Sequence, residues 1–193
     1  MADTKISAMT AATLPLTGAE LVPIVQGGDN KKTTVGDIAE VNVAYGAWSD
    51  AADQTGSTTA GTAMTYDTQD VSDSVTLVDN SKITVPNTGI YDLQFSAQFR
   101  NTDNTQHEVV VWFKVNGSDL TNSATRVTVP SRKSASIYGY MVAAWNIFLD
   151  LNSTDYVEIF WQPTSLLVTM EHDSAGATYP AIPSVIVTIQ QVA

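Results

Sequence analysis

The chain has 193 residues, enough for one well-buried domain, or for one domain with an appendage. Its 20 acidic against 9 basic residues give a net charge of -11, which disfavours a general nucleic-acid binder and an anionic membrane surface, because both partners demand cationic groups. With no cysteine, disulfides, thiol nucleophiles and thiolate metal sites are excluded, and stability must come from packing.

The opening MADTKISAMTAATLPL lacks the basic segment and unbroken apolar run of a secretion signal, so synthesis in a cytoplasm without export is the expectation. The longest apolar stretch, Tyr140 to Trp145, is far too short to span a bilayer. Residues 1 to 42 read as a unit of their own. Glu20 to Gln26 forms a short strand, Gly27 to Asn30 a turn, and Lys31 to Val35 a return strand. Pro23 removes a backbone donor and places the first strand at an edge. Thr34 and Asp37 have helix N-cap spacing, so Val35 to Val41 is expected to form a helix of barely two turns.

From residue 43 onward the chain reads as all-β. Asp50 to Thr65 is a Gly-, Ser- and Thr-rich connection. Strands are expected at Ala44 to Ser49, Ser74 to Val78, Lys82 to Val85, Gly89 to Arg100, Glu108 to Val115, Ala124 to Val129, Ser134 to Leu149 (bent or broken), Tyr156 to Gln162, Leu166 to Glu171 and Ser184 to Val192. The clearest is Gly89 to Arg100, where Leu93, Phe95, Ala97 and Phe99 share one face and Asp92, Gln94, Ser96 and Gln98 the other. About ten strands so separated suit a two-sheet sandwich.

The N-terminal run KISAMTAATLPLTGAELVPIVQGGDNKKTTVGDIAE resembles the first segment of many tailed-bacteriophage virion proteins. That resemblance implies a virion docking element at Ile6, Leu21, Val22, Ile24, Val25, Gly27 and Gly28; the other reading is that the segment is simply the domain's first hairpin. A second resemblance covers residues 43–193. Gly89 and Tyr91 in TGIYDLQFSAQF, Asn116-Gly117 in VVVWFKVNGSDL, Val157 to Trp161 in DYVEIFW, and the final SVIVTIQQV resemble the jelly-roll of the tumour necrosis factor and complement globular-head superfamily. It implies a jelly-roll sandwich preceded by the hairpin arm, and a homotrimer with aromatic residues about a threefold axis.

Little points to chemistry. His107 and His172 sit beside Glu108 and between Glu171 and Asp173, but neighbours on a strand face opposite ways, so these read as solvated strand ends. Asp67, Asp70 and Asp73, spaced in threes, are the best calcium candidate, yet the glycine and terminal glutamate of an EF-hand loop are missing, so no metal and no cofactor is expected. No phosphate loop, dinucleotide fingerprint or nucleophile elbow is present. The tryptophans are Trp48, Trp112, Trp145 and Trp161. Trp112-Phe113 and Phe160-Trp161 give their strands an aromatic on each face, which reads as burial on both sides. Tyr91, Phe95, Trp112, Phe160 and Trp161 are therefore expected in trimer packing, with sugar stacking on an exposed tryptophan as the alternative. Together with the two resemblances, this implies a non-enzymatic structural protein of a phage virion as the expectation: a trimeric fibre, knob or decoration protein on the capsid or tail surface partnered by other virion proteins, or, as the alternative, a module binding a host receptor or surface glycan. Its loops at Asn101 to Gln106 and Asp173 to Tyr179 are expected to face a host surface.

Overall fold

The structure, a computed structural model, describes residues 19–35 and 43–193. The chain divides into two compact units, Met1–Val43 and Ala44–Ala193. In the first, β1 (Leu21–Gln26) and β2 (Asp29–Thr34) pair antiparallel. Gly27 and Gly28 form a two-residue turn with φ of 65° and 87°. Two successive positive φ angles suit a primed hairpin turn, and glycine adopts them without a Cβ penalty. The turn is therefore shorter than expected: Asp29 and Asn30 already pair with Gln26 and Val25. Ile6, and all but the first residue of the helix expected over 35–41, lie outside the described residues.

The second unit carries β3 (Tyr45–Asp50), β4 (Gln54–Thr55), β5 (Thr62–Ala63), β6 (Thr68–Asp73), β7 (Thr76–Val78), β8 (Lys82–Thr84), β9 (Gly89–Asn101), β10 (His107–Val115), β11 (Ser118–Asp119), β12 (Thr125–Val129), β13 (Gly139–Leu151), β14 (Tyr156–Pro163), β15 (Val168–Met170) and β16 (Val185–Gln191). These form an all-β sandwich of two antiparallel sheets. One runs β6-β3-β16-β9-β13, with β15 pairing the far end of β9 and carrying β4. The other runs β7-β8-β14-β10-β12, with β5 and β11 as short additions to β14 and β10. Consecutive long strands β9 and β10 lie in different sheets, so the Thr102–Gln106 connection crosses from one layer to the other.

Alternation decides the core. Tyr91, Leu93, Phe95, Ala97 and Phe99 of β9 meet Val109, Val111 and Phe113 of β10 and Val157, Ile159 and Trp161 of β14, all buried. Phe95 meets Phe113 edge-on at 5.9 Å between ring centres, and Phe99 lies 5.5 Å from Trp161. Trp48 on β3 and Val187 and Ile189 on β16 close the same layer. Each large aromatic removes about 150–250 Å² from water, so these few residues dominate the stability of the unit.

Two expectations are corrected. Asp67, Asp70 and Asp73 do not share a turning loop: β6 is an extended strand paired to β3, with a bulge between Ala47 and Trp48. Asp67 accepts from Ala51 N–H, Asp70 from the Ser49 hydroxyl and Asp73 from the Ser74 hydroxyl, so the three carboxylates face separate partners. The strand expected over 134–149 starts only at Gly139, after a tight Ser134–Ile137 bridge, and then runs unbroken for 13 residues.

Candidate association surface

Because side chains alternate, the residues of β9 that leave the core build the outer face of the β3-β16-β9-β13 layer. Cross-strand register sets them in rows. One row holds Phe148, Asp92, Gln190, Tyr45 and, at the rim on β6, Asp73. The next holds Asn146, Gln94, Thr188, Ala47 and Val71, and a third Ala144, Ser96, Ile186 and Ser49. Val142 and Tyr140 continue along β13 opposite Gln98 and Arg100. The second and third rows hold no charged residue on these four strands.

Six large apolar side chains stand exposed on this face: Tyr45, Val71, Tyr140, Val142, Phe148 and Ile186, with Phe148 63% accessible. Between them lie small residues, so the surface is hollowed. Three adjoining depressions of about 250, 200 and 380 Å³ share Gln94, with Ala47, Ser96 and Ala144 among their linings. The one carboxylate in the trough is held: Asp92 accepts from Gln94 Nε2 at 3.0 Å and Asn146 Nδ2 at 3.2 Å. This fixes both amides and leaves no side chain poised for acid-base chemistry in the trough.

β13 is also an edge. It pairs with β9 along its whole length and, among the described residues, with no strand on its other side. Natural edges of this length are normally blunted by lysine, proline or a bulge. From Gly139 to Leu151 the only charge is Asp150, and there is no proline. An exposed apolar face flanked by a 13-residue edge is an unusual surface to leave in water.

The expected packing residues fall elsewhere. Tyr91, Phe95 and Trp161 are buried inside the sandwich of the single chain, so they have no surface to offer a second subunit. Trp112 and Phe160 do point outward, 5.7 Å apart, but from the other sheet, where both are half-buried. A Cβ on Gly61 would overlap the Trp112 ring, so the 56–63 segment already covers part of that pair. Tyr140, Val142 and Phe148, the exposed large apolar residues of β13, are not singled out by sequence reasoning, although β13 is apolar at both parities and thus carries the same signal.

In the hairpin, Leu21 and Val25 are exposed and Val22 and Ile24 half-buried. At the sandwich end beyond Asn101, His107 Nε2 lies 2.9 Å from Asp103, and the Asp103 carboxyl is held below its usual range chiefly by that hydrogen bond. Arg100 pairs with the buried Glu171 and stands 5.2 Å from the Tyr138 ring. The backbone N–H of His172 donates to Asp53. No group of three histidines or carboxylates able to hold a metal exists among the described residues. No helix among them is long and apolar enough to cross a membrane. No known family model matches the chain, and no curated protein matches it.

Proposed function

We propose that the protein is a structural subunit of a tailed-phage virion whose 44–193 unit self-associates as a trimer, with the N-terminal hairpin docking it to the particle. The observation that carries self-association is the apolar trough of the β3-β16-β9-β13 face bordered by the open edge of β13. A monomer would leave this surface in water, which soluble monomers rarely do. An edge and a trough on one molecule are different surfaces, so their contact is head-to-tail, and such contacts are satisfied in every copy only when they close into a ring. Three is the number the resemblance implies. The strand orders β3-β16-β9-β13 and β8-β14-β10-β12 support the jelly-roll reading, since they interleave early and late strands as two wrapped Greek keys do.

The docking role rests on the phage-like wording of residues 5–40 and on the hairpin's form. A two-stranded ribbon can add to a neighbouring sheet through β1, burying Leu21 and Val25 there. The function is association, with no reaction. Its test is removal of residues 1–42 in the phage genome: the truncated protein is expected to remain folded and to be absent from purified particles. Wild-type occupancy of the truncated protein in particles would refute the docking role.

A further inference from the structure

The outer face of the second sheet holds a cleft of different character. Its apolar lining is Val110, Trp112, Leu120 and Ala124, and its polar lining is Asp119, Asn122 and Gln162. Its volume, about 340 Å³, lies at the low end of small-ligand sites, about 300–1,000 Å³. We propose that this cleft is a binding subsite for one neutral hexose unit of a glycan.

The cleft is built before any ligand arrives. Trp112 Nε1–H donates to Asp119 Oδ1 at 2.7 Å, and Lys114 Nζ approaches the same oxygen at 3.3 Å. That fixes the indole plane and engages Asp119 Oδ1, while Oδ2 accepts no hydrogen bond among the described residues. The 119–124 loop is pinned to β10 by Leu120 N–H to the Phe113 carbonyl at 2.9 Å and by Phe113 N–H to the Ser123 hydroxyl at 3.1 Å. Asn122 adopts a left-handed φ of 62° within that loop, and its amide makes no side-chain hydrogen bond among the described residues. Gln162 spends one donor on the Thr58 carbonyl at 2.9 Å, which leaves its carbonyl oxygen free. Gly61 matters too, since a Cβ there would displace the Trp112 ring.

This set of groups matches a pyranose and little else. The axial C–H face of a hexose is apolar and packs on an indole, while its equatorial hydroxyls need adjacent donors and acceptors, which a carboxylate and two amides supply. A purely apolar ligand would strip water from Asp119, Asn122 and Gln162 without replacing it. Lys114 offsets Asp119 locally, but the net charge of -11 disfavours uronates and sugar phosphates, so the ligand is neutral. The inference goes beyond self-association and does not depend on it, because the cleft is on the opposite sheet from the apolar trough.

The test is saturation-transfer difference NMR on the full chain with the methyl glycosides of glucose, galactose, mannose and N-acetylglucosamine, and glucuronate as the charged control. Ring-proton signals are expected from at least one neutral glycoside and none from glucuronate. Asn122→Ala and Gln162→Ala should each weaken binding roughly fivefold, the loss of one hydrogen bond, with the melting temperature unchanged in Gln162→Ala and lowered in Asn122→Ala, where alanine takes the left-handed φ less readily than asparagine. Trp112→Ala should abolish it, and the two milder variants keep the test valid if that one does not fold. Silence from all four neutral glycosides, equal binding of glucuronate, or undiminished binding in both Asn122→Ala and Gln162→Ala overturns the assignment. The oligomer mass of the same samples, measured separately, decides the association reading on its own.

Discussion

Phe148→Thr separates the stability of one chain from the stability of the assembly. Phe148 sits on β13 with its ring on the trough side and 63% of its surface open. Taking about 200 Å² for a phenylalanine side chain, about 125 Å² remains to be covered by a neighbour, worth about 3 kcal/mol at about 25 cal/mol per Å². Threonine keeps the β preference and returns little of that area, so each contact should weaken by roughly 2–3 kcal/mol, about 30- to 150-fold in its equilibrium constant. The single chain should barely notice, since surface substitutions usually stay within about 0.5 kcal/mol. Aspartate would be a poorer choice, because position 148 lies directly opposite Asp92. Sedimentation velocity across a concentration series reads the association, and urea unfolding of the dissociated species reads the fold. An unchanged oligomer in Phe148→Thr, or a fold destabilised as much as the assembly, would refute the reasoning.

Other outcomes follow from the same structure. Trp161→Ala, removing a fully buried ring between the sheets, should cost about 3–5 kcal/mol in urea unfolding, whereas an exposed-residue effect below about 1 kcal/mol would contradict its core position. The Tyr66 hydroxyl is buried without a partner, and burial raises its ionisation well above the ordinary tyrosine range. Tyr66→Phe should therefore be neutral or stabilising by up to about 1 kcal/mol, and a clear loss in thermal unfolding would reveal a hidden partner. Asp155 is held below the usual carboxylate range, first by Asn116 Nδ2 at 2.7 Å and then by Asn152 N–H at 2.8 Å. A lowered folded pKa contributes stability that is present above the unfolded value of about 3.9 and is lost as pH falls through the folded value. Stability should thus drop as acid titrates below about pH 4, less steeply in Asp155→Asn, and identical pH profiles for the two proteins would exclude this cause. Addition of a chelator should leave the melting temperature unchanged, since Asp67, Asp70 and Asp73 face separate partners; a drop restored by calcium would show that they converge after all.

Periodicity made the sandwich legible and parity made the site illegible. Along β9 the alternation of Leu93, Phe95, Ala97 and Phe99 with Asp92, Gln94, Ser96 and Gln98 names the core face outright, because a strand buried on one side must sort its residues that way. Tyr91 shares that parity, so the same pattern that found the strand already argued against an interface role for Tyr91 and Phe95. In VVVWFKV and VEIFW, by contrast, both parities are apolar, and nothing local says which aromatic turns inward. Phe113 and Trp161 do, and Trp112 and Phe160 do not. The two-residue strands β4, β5 and β11 are too short to show a period at all. β6 was hidden differently: three aspartates in the seven residues 67–73 look like a loop, yet an exposed edge strand tolerates charge and gains protection from unwanted pairing by it. The open edge of β13 could not be read from sequence, since edge or centre is fixed by which strands return beside it.

The account stands most directly on the mass of the assembled chain in solution. Multi-angle light scattering at micromolar concentration should give three times the 20.7 kDa chain mass, and hydrogen exchange on the same sample should show the alternate β13 amides that point away from β9 protected on dilution-resistant trimers and exposed once Phe148→Thr dissociates them. A monodisperse species of one chain mass, with β13 exchanging at the same rate in the wild type and the variant, would contradict it.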